Sequence, residues 1–195
     1  MTLSVARSEL ILGGQKSGKS RRAEALAAQW LAASPAHRAL LIATAEAHDE
    51  EMRQRIARHQ SDRAARVPRM QTLEEPRDLA RVLVQRGAPD TLIVVDCLTL
   101  WLTHWMFGFD ENLMQKEAPA HDWPAQAALF FEALAKTPGP VVLVGNEIGL
   151  GVIPLGSQVR AFVDALGLLN QQAAQACARA TLMVSGLPLT LKDTP

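Results

Sequence analysis

A glycine-rich loop near the N-terminus constrains the fold of this chain more than any other stretch. Residues 10–20 read LILGGQKSGKS, in which an apolar run leads into the pattern G-x-x-x-x-G-K-[S/T]. This pattern is typical of a turn between a buried strand and a helix, where backbone N–H groups converge on phosphate. The loop consists of Gly13, Gly14, Gln15, Lys16, Ser17, Gly18, Lys19 and Ser20.

The end of this loop and one strand-end carboxylate predict a magnesium-nucleotide site. We expect Lys19 to neutralise the β- and γ-phosphates of a nucleoside triphosphate, and the Ser20 hydroxyl to hold Mg²⁺. Asp96 follows the apolar run TLIVV and is the expected second magnesium partner. The structural alternative is an aspartate that caps a turn. Glu147 ends another apolar run, in GNEIGLG, where glycines would let backbone approach a ligand.

Apolar runs alternate with longer amphipathic stretches along the chain. Leu, Ile and Val cluster at residues 10–12, 39–43, 92–95 and 141–144, and helices are expected over roughly 19–33 and 49–59. The alternation predicts an α/β fold with a mostly parallel sheet flanked by helices, as in P-loop NTPases. The segment TLMVSGLPLTLK is expected to add an edge hairpin with a Gly-Leu-Pro turn.

Local signals refine this outline. Asp122 before Trp-Pro is expected to cap one helix, and Ser157 to cap another. Residues 60–76 and 104–121 have the least regular patterns, and long loops of α/β domains often contact substrate.

Composition limits the classes of function. With 195 residues and 48% hydrophobic residues, the chain is long enough for one domain, predicted over 1–195. Its 20 Lys+Arg balance 20 Asp+Glu, which disfavours a nucleic-acid partner. Cys97 and Cys177 are far apart and lack C-x-x-C spacing, which argues against a disulfide framework and against a Cys-rich metal site. A reducing cytoplasm fits this cysteine usage best. No apolar run approaches the ~20 residues of a membrane span.

One histidine distinguishes a plain phosphate-binding protein from a group-transfer enzyme. On a helix, His59 would share the inward-facing stripe of Met52 and Ile56. Such a histidine is usually a satisfied core residue. The functional alternative is a neutral imidazole aimed at phosphate, with Arg55 or Arg63 holding the triphosphate. Spacing alone permits both. His48 precedes the helix and is the weaker candidate.

The sequence resembles the bifunctional adenosylcobinamide kinase/adenosylcobinamide-phosphate guanylyltransferases of cobalamin biosynthesis. The resemblance covers almost the whole chain in the family's order. It is carried by the phosphate loop and by IATAEAHDEEMRQRIARH, QTLEEP, VVDCLTLWLT, GNEIGLGVIP, LNQ and VSGLPLTLK. It implies a homotrimer that phosphorylates the corrinoid adenosylcobinamide with ATP or GTP, then transfers GMP from GTP to the product with release of pyrophosphate.

The resemblance also assigns residues. It makes His59, in the family's R-I-x-x-H pattern, the residue that carries GMP as a phosphoramidate, with Lys19 as the other catalytic residue. Mg²⁺ would be held by Ser20 and Asp96. The remaining positions implied to border GTP are Ala43, Thr44, Ala45, Gln60, Ser61, Asp62, Arg63 and Glu74. The chain departs from the usual family residues at Gln15-Lys16, Gly145, Leu155 and Leu168.

Other hypotheses remain open at this stage. A simple P-loop kinase for a small metabolite would leave His59 structural. A non-catalytic switch would use the nucleotide to order residues 104–121 against a partner. Trp105, Phe107 and Phe109 in that segment would contact the corrinoid, or belong to the core or a subunit interface.

Overall fold

The computed structural model describes residues 3–47, 50–107 and 122–194. Seven strands alternate with six helices over these residues. The strands are β1 (Ser8–Gly13), β2 (Arg38–Ala43), β3 (Met70–Glu74), β4 (Thr91–Asp96), β5 (Val141–Val144), β6 (Arg179–Val184) and β7 (Leu187–Asp193). The helices are α1 (Lys19–Ala33), α2 (Glu50–Arg66), α3 (Leu79–Arg86), α4 (Leu98–Phe107), α5 (Trp123–Lys136) and α6 (Ser157–Ala176).

The strands form one sheet in the order β3-β2-β4-β5-β1-β6-β7. All neighbours are parallel except β6 and β7, which pair antiparallel at one edge. The predicted α/β fold with a C-terminal edge hairpin is therefore confirmed. Because parallel strands end on the same side, the segments after β1, β2, β3, β4 and β5 meet at one edge of the sheet.

Both faces of the sheet are covered, which explains the continuous apolar runs in its central strands. Successive residues of β1 point to opposite faces: Leu10 and Leu12 pack in the layer that contains Trp101 and Phe130, whereas Ile11 packs against α1. The Trp101 and Phe130 rings lie 5.7 Å apart between α4 and α5. In the described part of the chain, no helix is both long and apolar enough to cross a membrane.

The largest departure from the predicted elements is at residues 60–76. This stretch contains the end of α2 and the edge strand β3, and residues 104–107 complete α4. The strand was hard to detect because only its first residue, Met70, is buried. The short helix α3 was likewise not predicted. Residues 108–121 lie outside the described residues.

The helix ends and the hairpin turn test the capping predictions. Asp122 caps α5 as predicted, accepting from the Ala125 N–H at 3.1 Å. Ser157 does not cap α6, because Gly156 occupies the N-cap position and no side-chain cap bond forms there. The hairpin turn is Ser185-Gly186, with φ of 52° and 80°, and Pro188 already belongs to β7. Adjacent positive φ values suit the twist of a tight hairpin, so the predicted Gly-Leu-Pro turn is wrong by two residues.

Candidate active site

The glycine-rich loop connects β1 to α1 at the carboxyl edge of the sheet. Gly13 and Gly18 have φ of 151° and 101°, values that side chains rarely tolerate. A Cβ on Gly13 would lie 2.5 Å from the carbonyl oxygen of Met183 in β6. The hairpin turn supports the same loop, because the Gly186 N–H donates to the Ser17 carbonyl at 3.0 Å. The two glycines are thus required by conformation and by close packing.

Two polar groups of this loop match a phosphate ligand. The Lys19 ammonium is buried and donates to the Gly14 carbonyl at 2.6 Å, so the cation lies folded over the loop. The Ser17 hydroxyl is buried and has no hydrogen-bond partner within the described residues. A buried hydroxyl without a partner is costly, and a phosphate oxygen would satisfy it.

The first turn of α1 meets the end of β4 beside the loop. The Ser20 hydroxyl donates to Asp96 Oδ2 at 2.7 Å. One hydroxyl and one carboxylate provide the hard oxygen ligands that suit Mg²⁺, which takes its remaining ligands from phosphate and water. Over the described ranges there is no cluster of three or more His, Cys, Asp or Glu side chains that would form a separate metal centre.

Strand register aligns three residues that were predicted separately. Ala43 of β2 pairs with Glu74 of β3 on one side and with Asp96 of β4 on the other. Two strand spacings of about 4.8 Å therefore separate Glu74 from Asp96 across the sheet, roughly 10 Å. The row Glu74–Ala43–Asp96 has a carboxylate at each end. The phosphate loop lies on the Asp96 side of the row, because β1 follows β4 and β5 in the sheet.

A groove lies between α2 and the edge strand β3, next to this row. It has a volume of about 570 Å³. Arg63 donates to the Thr72 hydroxyl at 3.0 Å, and the Gln60 amide lies 3.5 Å from Glu74 Oε1. Its lining residues are Gln60, Arg63, Ala64, Pro68, Met70, Thr72, Leu73 and Glu74. The structure therefore brings together three of the residues that the sequence had implied to border GTP.

His59 is exposed, which contradicts the prediction that it shares the inward stripe of α2. Met52 and Ile56 are half-buried, but residues 57–62 are exposed on every side of the helix. The spacing places Met52, Ile56 and His59 on one face of α2, but no other element of the described structure covers that face at His59. Among the described residues, none forms a hydrogen bond or ion pair with His59.

The other implied GTP residues differ in accessibility. Ala43 and Ala45 are half-buried, whereas Ser61 and Asp62 are exposed on α2. Thr44 is fully buried, and its hydroxyl donates to the Cys97 carbonyl at 2.8 Å and accepts from the Cys97 N–H at 2.7 Å. Its side chain is therefore occupied in holding the residue after Asp96. His48 lies outside the described residues.

A buried histidine that sequence reasoning missed lies behind the site. His104 Nε2 is 3.0 Å from the Thr44 carbonyl oxygen, and its Nδ1 is 3.4 Å from Glu46 Oε2. The side chain of His104 is 2% exposed, whereas that of Glu46 is 41% exposed. The available signal was a single histidine inside the otherwise apolar helix sequence LTLWLTHWMF. Sequence alone could not identify its partners.

Burial also raises the pKa of two groups around the site. The Glu24 carboxyl on α1 has a pKa above its usual 4.5, chiefly because of desolvation, although Arg66 of α2 lies 2.8 Å from it and lowers the pKa. Burial, reinforced by the Asp96 charge, raises the pKa of the Cys97 thiol to about 11. Cys97 is therefore protonated at neutral pH and is a poor nucleophile.

The loop between β5 and α6 exposes large apolar side chains beside the phosphate loop. Its start is fixed by the Glu147 N–H, which donates to the Gly13 carbonyl at 3.1 Å. Arg160 holds its end by donating to the carbonyls of Pro154 and Leu155. We call this segment the apolar loop; its most exposed side chains are Leu150, Val152, Ile153 and Leu155.

The aromatic residues near the end of α4 have mixed environments. Trp105 packs against the core, and the ring of Phe107 lies 5.7 Å from that of Phe162 on α6. Phe109, and with it most of the 104–121 segment suggested for corrinoid contact or partner binding, lies outside the described residues. Leu168, one of the departures from the usual family residues, is exposed on α6.

Comparisons with known proteins agree in sequence and in fold. The model of the cobinamide kinase/cobinamide phosphate guanyltransferase family, CobU, matches residues 9–191. The bifunctional adenosylcobalamin biosynthesis protein CobP of Pseudomonas aeruginosa is 45% identical over 188 residues, covering 96% of this chain and 98% of that protein. The protein CobU of Salmonella typhimurium, described as having the same bifunctional role, is 34% identical over 187 residues, covering 94% and 98%.

A solved structure extends the comparison to the fold alone. The flagellar accessory protein FlaH from Methanocaldococcus jannaschii superposes with a TM-score of 0.50 at 13% identity. The match covers 97% of this chain and 80% of that protein.

Proposed function

Because the chain belongs to the cobinamide kinase/cobinamide phosphate guanyltransferase family, we propose that it carries out both reactions at the carboxyl edge of its sheet. The family makes it an enzyme of adenosylcobalamin biosynthesis with kinase and guanylyltransferase activities. The observation that carries the proposed location is the Ser20–Asp96 contact beside the phosphate loop. We further propose a cytoplasmic homotrimer whose chains each form one domain over residues 1–195.

In this proposal the phosphate loop holds the triphosphate of ATP or GTP. Backbone N–H groups of Gly13–Ser20 and the dipole of α1 bind the phosphates, and the Lys19 ammonium turns from the Gly14 carbonyl to the β- and γ-phosphates. The Ser17 hydroxyl gains an acceptor among the phosphate oxygens. When Mg²⁺ is bound, Ser20 and Asp96 hold it, and it neutralises charge on the phosphates.

The kinase reaction uses the γ-phosphate. The hydroxyl oxygen of the aminopropanol arm of adenosylcobinamide attacks the γ-phosphorus, and a new O–P bond forms. The bond from the γ-phosphorus to the bridging oxygen breaks, the nucleoside diphosphate leaves, and the hydroxyl proton passes to solvent. Lys19 stabilises the charge that develops on the leaving phosphate.

The guanylyl transfer uses the α-phosphate of GTP and proceeds through His59. A ring nitrogen attacks the α-phosphorus, the N–P bond forms, and pyrophosphate leaves as the α,β-bridging bond breaks. The proton of the other ring nitrogen passes to solvent. The phosphate of adenosylcobinamide phosphate then attacks the same phosphorus, the N–P bond breaks, and adenosylcobinamide-GDP is released as the imidazole regains its proton. An exposed imidazole suits this double exchange, because each partner must reach it in turn.

The groove between α2 and β3 is the proposed site of the guanine base. Glu74 offers carboxylate oxygens to the N–H groups of the guanine edge, and Gln60 and Arg63 complete a polar wall. The groove lies beside the helix that carries His59. The proposal therefore places the base and the acceptor of its GMP on the same element, α2.

The apolar loop is the proposed docking surface for the corrinoid. An acceptor of phosphate or GMP has to reach a phosphate held by the glycine-rich loop, and the apolar loop is hydrogen-bonded to Gly13. Val152 and Leu155 are 96% and 97% exposed, as suits contact with a large macrocycle that carries many methyl groups. A second copy of the chain is the competing occupant of this surface.

Labelling with GTP that carries ³²P at the α-phosphate tests the covalent step. The protein is incubated with labelled GTP, denatured, and analysed for protein-bound label that is labile to acid and stable to alkali. We expect label on the wild type and on His48→Ala, and none on His59→Ala. Label that persists in His59→Ala, or that never forms on the wild type, contradicts the proposed mechanism.

A further inference from the structure

Helix α4 carries a buried histidine that contacts the chain segment between β2 and α2. The His104 ring is packed behind the site, with Nε2 at 3.0 Å from the Thr44 carbonyl oxygen. A carbonyl oxygen only accepts, so this nitrogen bears the proton and donates. The other ring nitrogen faces Glu46 Oε2 at 3.4 Å. Both partners belong to the stretch that leads from β2 towards the helix of His59.

The same helix is bonded to strand ends on both sides of β4. Next to Asp96, the Cys97 N–H and carbonyl are both bonded to the Thr44 hydroxyl. The Thr99 hydroxyl accepts from the Asn146 N–H at 2.9 Å, just after β5. Helix α4 and the residue before it therefore connect the carboxyl ends of β2 and β5 through buried and partly buried polar contacts.

We propose that His104 is a positioning residue for guanylyl transfer, which fixes residues 44–46 on the path from β2 to α2, so that α2 presents His59 to the α-phosphate. This inference rests on the proposed function of His59. The hydrogen bond from Nε2 to the Thr44 carbonyl sets where the chain leaves β2, and Glu46 lies beside the other ring nitrogen. The Thr44 hydroxyl and N–H are bonded to Cys97 and to the Asp96 carbonyl independently of His104, so the kinase reaction depends less on His104.

Three substitutions at position 104 and one matched control separate this role from stability. His104→Leu removes the donor. His104→Gln keeps an N–H donor at a reach similar to that of Nε2, whereas His104→Asn keeps the amide but is too short. His37→Leu is the control, because His37 also has a ring nitrogen close to a carbonyl, 2.7 Å from that of Trp30, and stacks on the Trp30 ring away from the site.

The measurements are the rate of α-³²P labelling at saturating GTP, the KM for GTP, the kinase turnover, and the thermal unfolding midpoint. For His104→Leu and His104→Asn we expect labelling to slow on the order of 10- to 100-fold, the cost of misplacing a reacting group by about 1 Å. The KM for GTP and the kinase turnover should change by less than about threefold, well short of the labelling effect. His104→Gln should restore most of the labelling rate, and His37→Leu should leave it unchanged.

Several outcomes overturn the proposal. Labelling of His104→Leu at the wild-type rate would overturn it. Equal labelling rates for His104→Gln and His104→Asn would overturn it as well. The second comparison decides the matter if the leucine variant fails to fold. A kinase turnover that falls in parallel with labelling assigns His104 to general stability. An unlabelled wild type instead overturns the covalent role of His59 itself, and this inference with it.

Discussion

The Ser20 hydroxyl donates to the Asp96 carboxylate at 2.7 Å, across 76 positions of sequence. Ser20 lies in the first turn of α1, and Asp96 ends β4, two strands away from β1 in the sheet. The contact brings a hydroxyl and a carboxylate together beside the phosphate loop. It therefore links the end of this loop directly to the end of β4.

Replacing Asp96 with Asn is expected to abolish the effect of Mg²⁺ on GTP affinity. The amide retains the hydrogen bond from Ser20 but loses the negative charge that attracts the cation. Losing one charge-assisted contact corresponds to roughly 10-fold or more in GTP affinity with Mg²⁺ present. Titration with a fluorescent GTP analogue, with Mg²⁺ and with EDTA, measures this. Asp90→Asn, immediately before the same strand, is the control. An Asp96→Asn protein that still responds fully to Mg²⁺ contradicts the assignment.

The double change Val152→Ser and Leu155→Ser is expected to weaken corrinoid use selectively. Removing two exposed apolar side chains should raise the KM for adenosylcobinamide by about 30-fold, since each loses roughly 1 kcal/mol of apolar contact. The rate of α-³²P labelling by GTP should stay unchanged, because that step needs no corrinoid.

The control for the apolar loop is Val84→Ser, at a 73% exposed position on α3. Light scattering should be run on both proteins. A change of oligomeric state in the double variant, with the KM unaltered, would assign the apolar loop to subunit contact instead.

Replacing Glu24 with Gln should change stability in a pH-dependent way. Burial raises the folded-state pKa of Glu24, so its protonated form is favoured in the folded protein. That contribution is complete below the unfolded-state pKa and is lost as pH rises through the folded-state pKa. The wild type should therefore lose stability relative to Glu24→Gln as the pH rises above about 4 and through the raised folded-state pKa. Thermal unfolding of both proteins across this range measures the difference, and a gap that widens in the opposite direction refutes it.

The two cysteines should be unreactive until the protein unfolds. Burial raises the pKa of Cys97 to about 11 and that of Cys177 to about 12. At pH 8 only about one Cys97 thiol in a thousand is ionised, and the thiolate is the reactive form. Ellman's reagent should react with the two thiols only in denaturant. Rapid reaction of either cysteine in the native protein would contradict the burial of both thiols.

Local patterns predicted the parts of the site that depend on local chemistry. The phosphate loop and Asp96 are each defined by a short motif at the end of an apolar strand, so sequence was sufficient to identify them. The groove was not predicted, because β3 is an edge strand whose exposed residues give little apolar signal. The role of His104 depends on Thr44, sixty positions earlier, and no pattern within α4 encodes that contact.

His59 shows that sequence periodicity can locate a helix without predicting which of its residues are buried. Its spacing correctly identified the helix, but burial depends on whether another element covers the helix face. The family resemblance, and not periodicity, assigned its role, and that role stays a prediction.

The contact between Gly186 and the Ser17 carbonyl has a consequence for synthesis of the chain. β1 and the phosphate loop emerge from the ribosome long before β6, which pairs with β1, and before the turn that braces the loop. A nascent chain therefore carries a phosphate loop that lacks its neighbouring strand and brace. The phosphate loop is therefore fully supported only after β6 and the Ser185-Gly186 turn have been made.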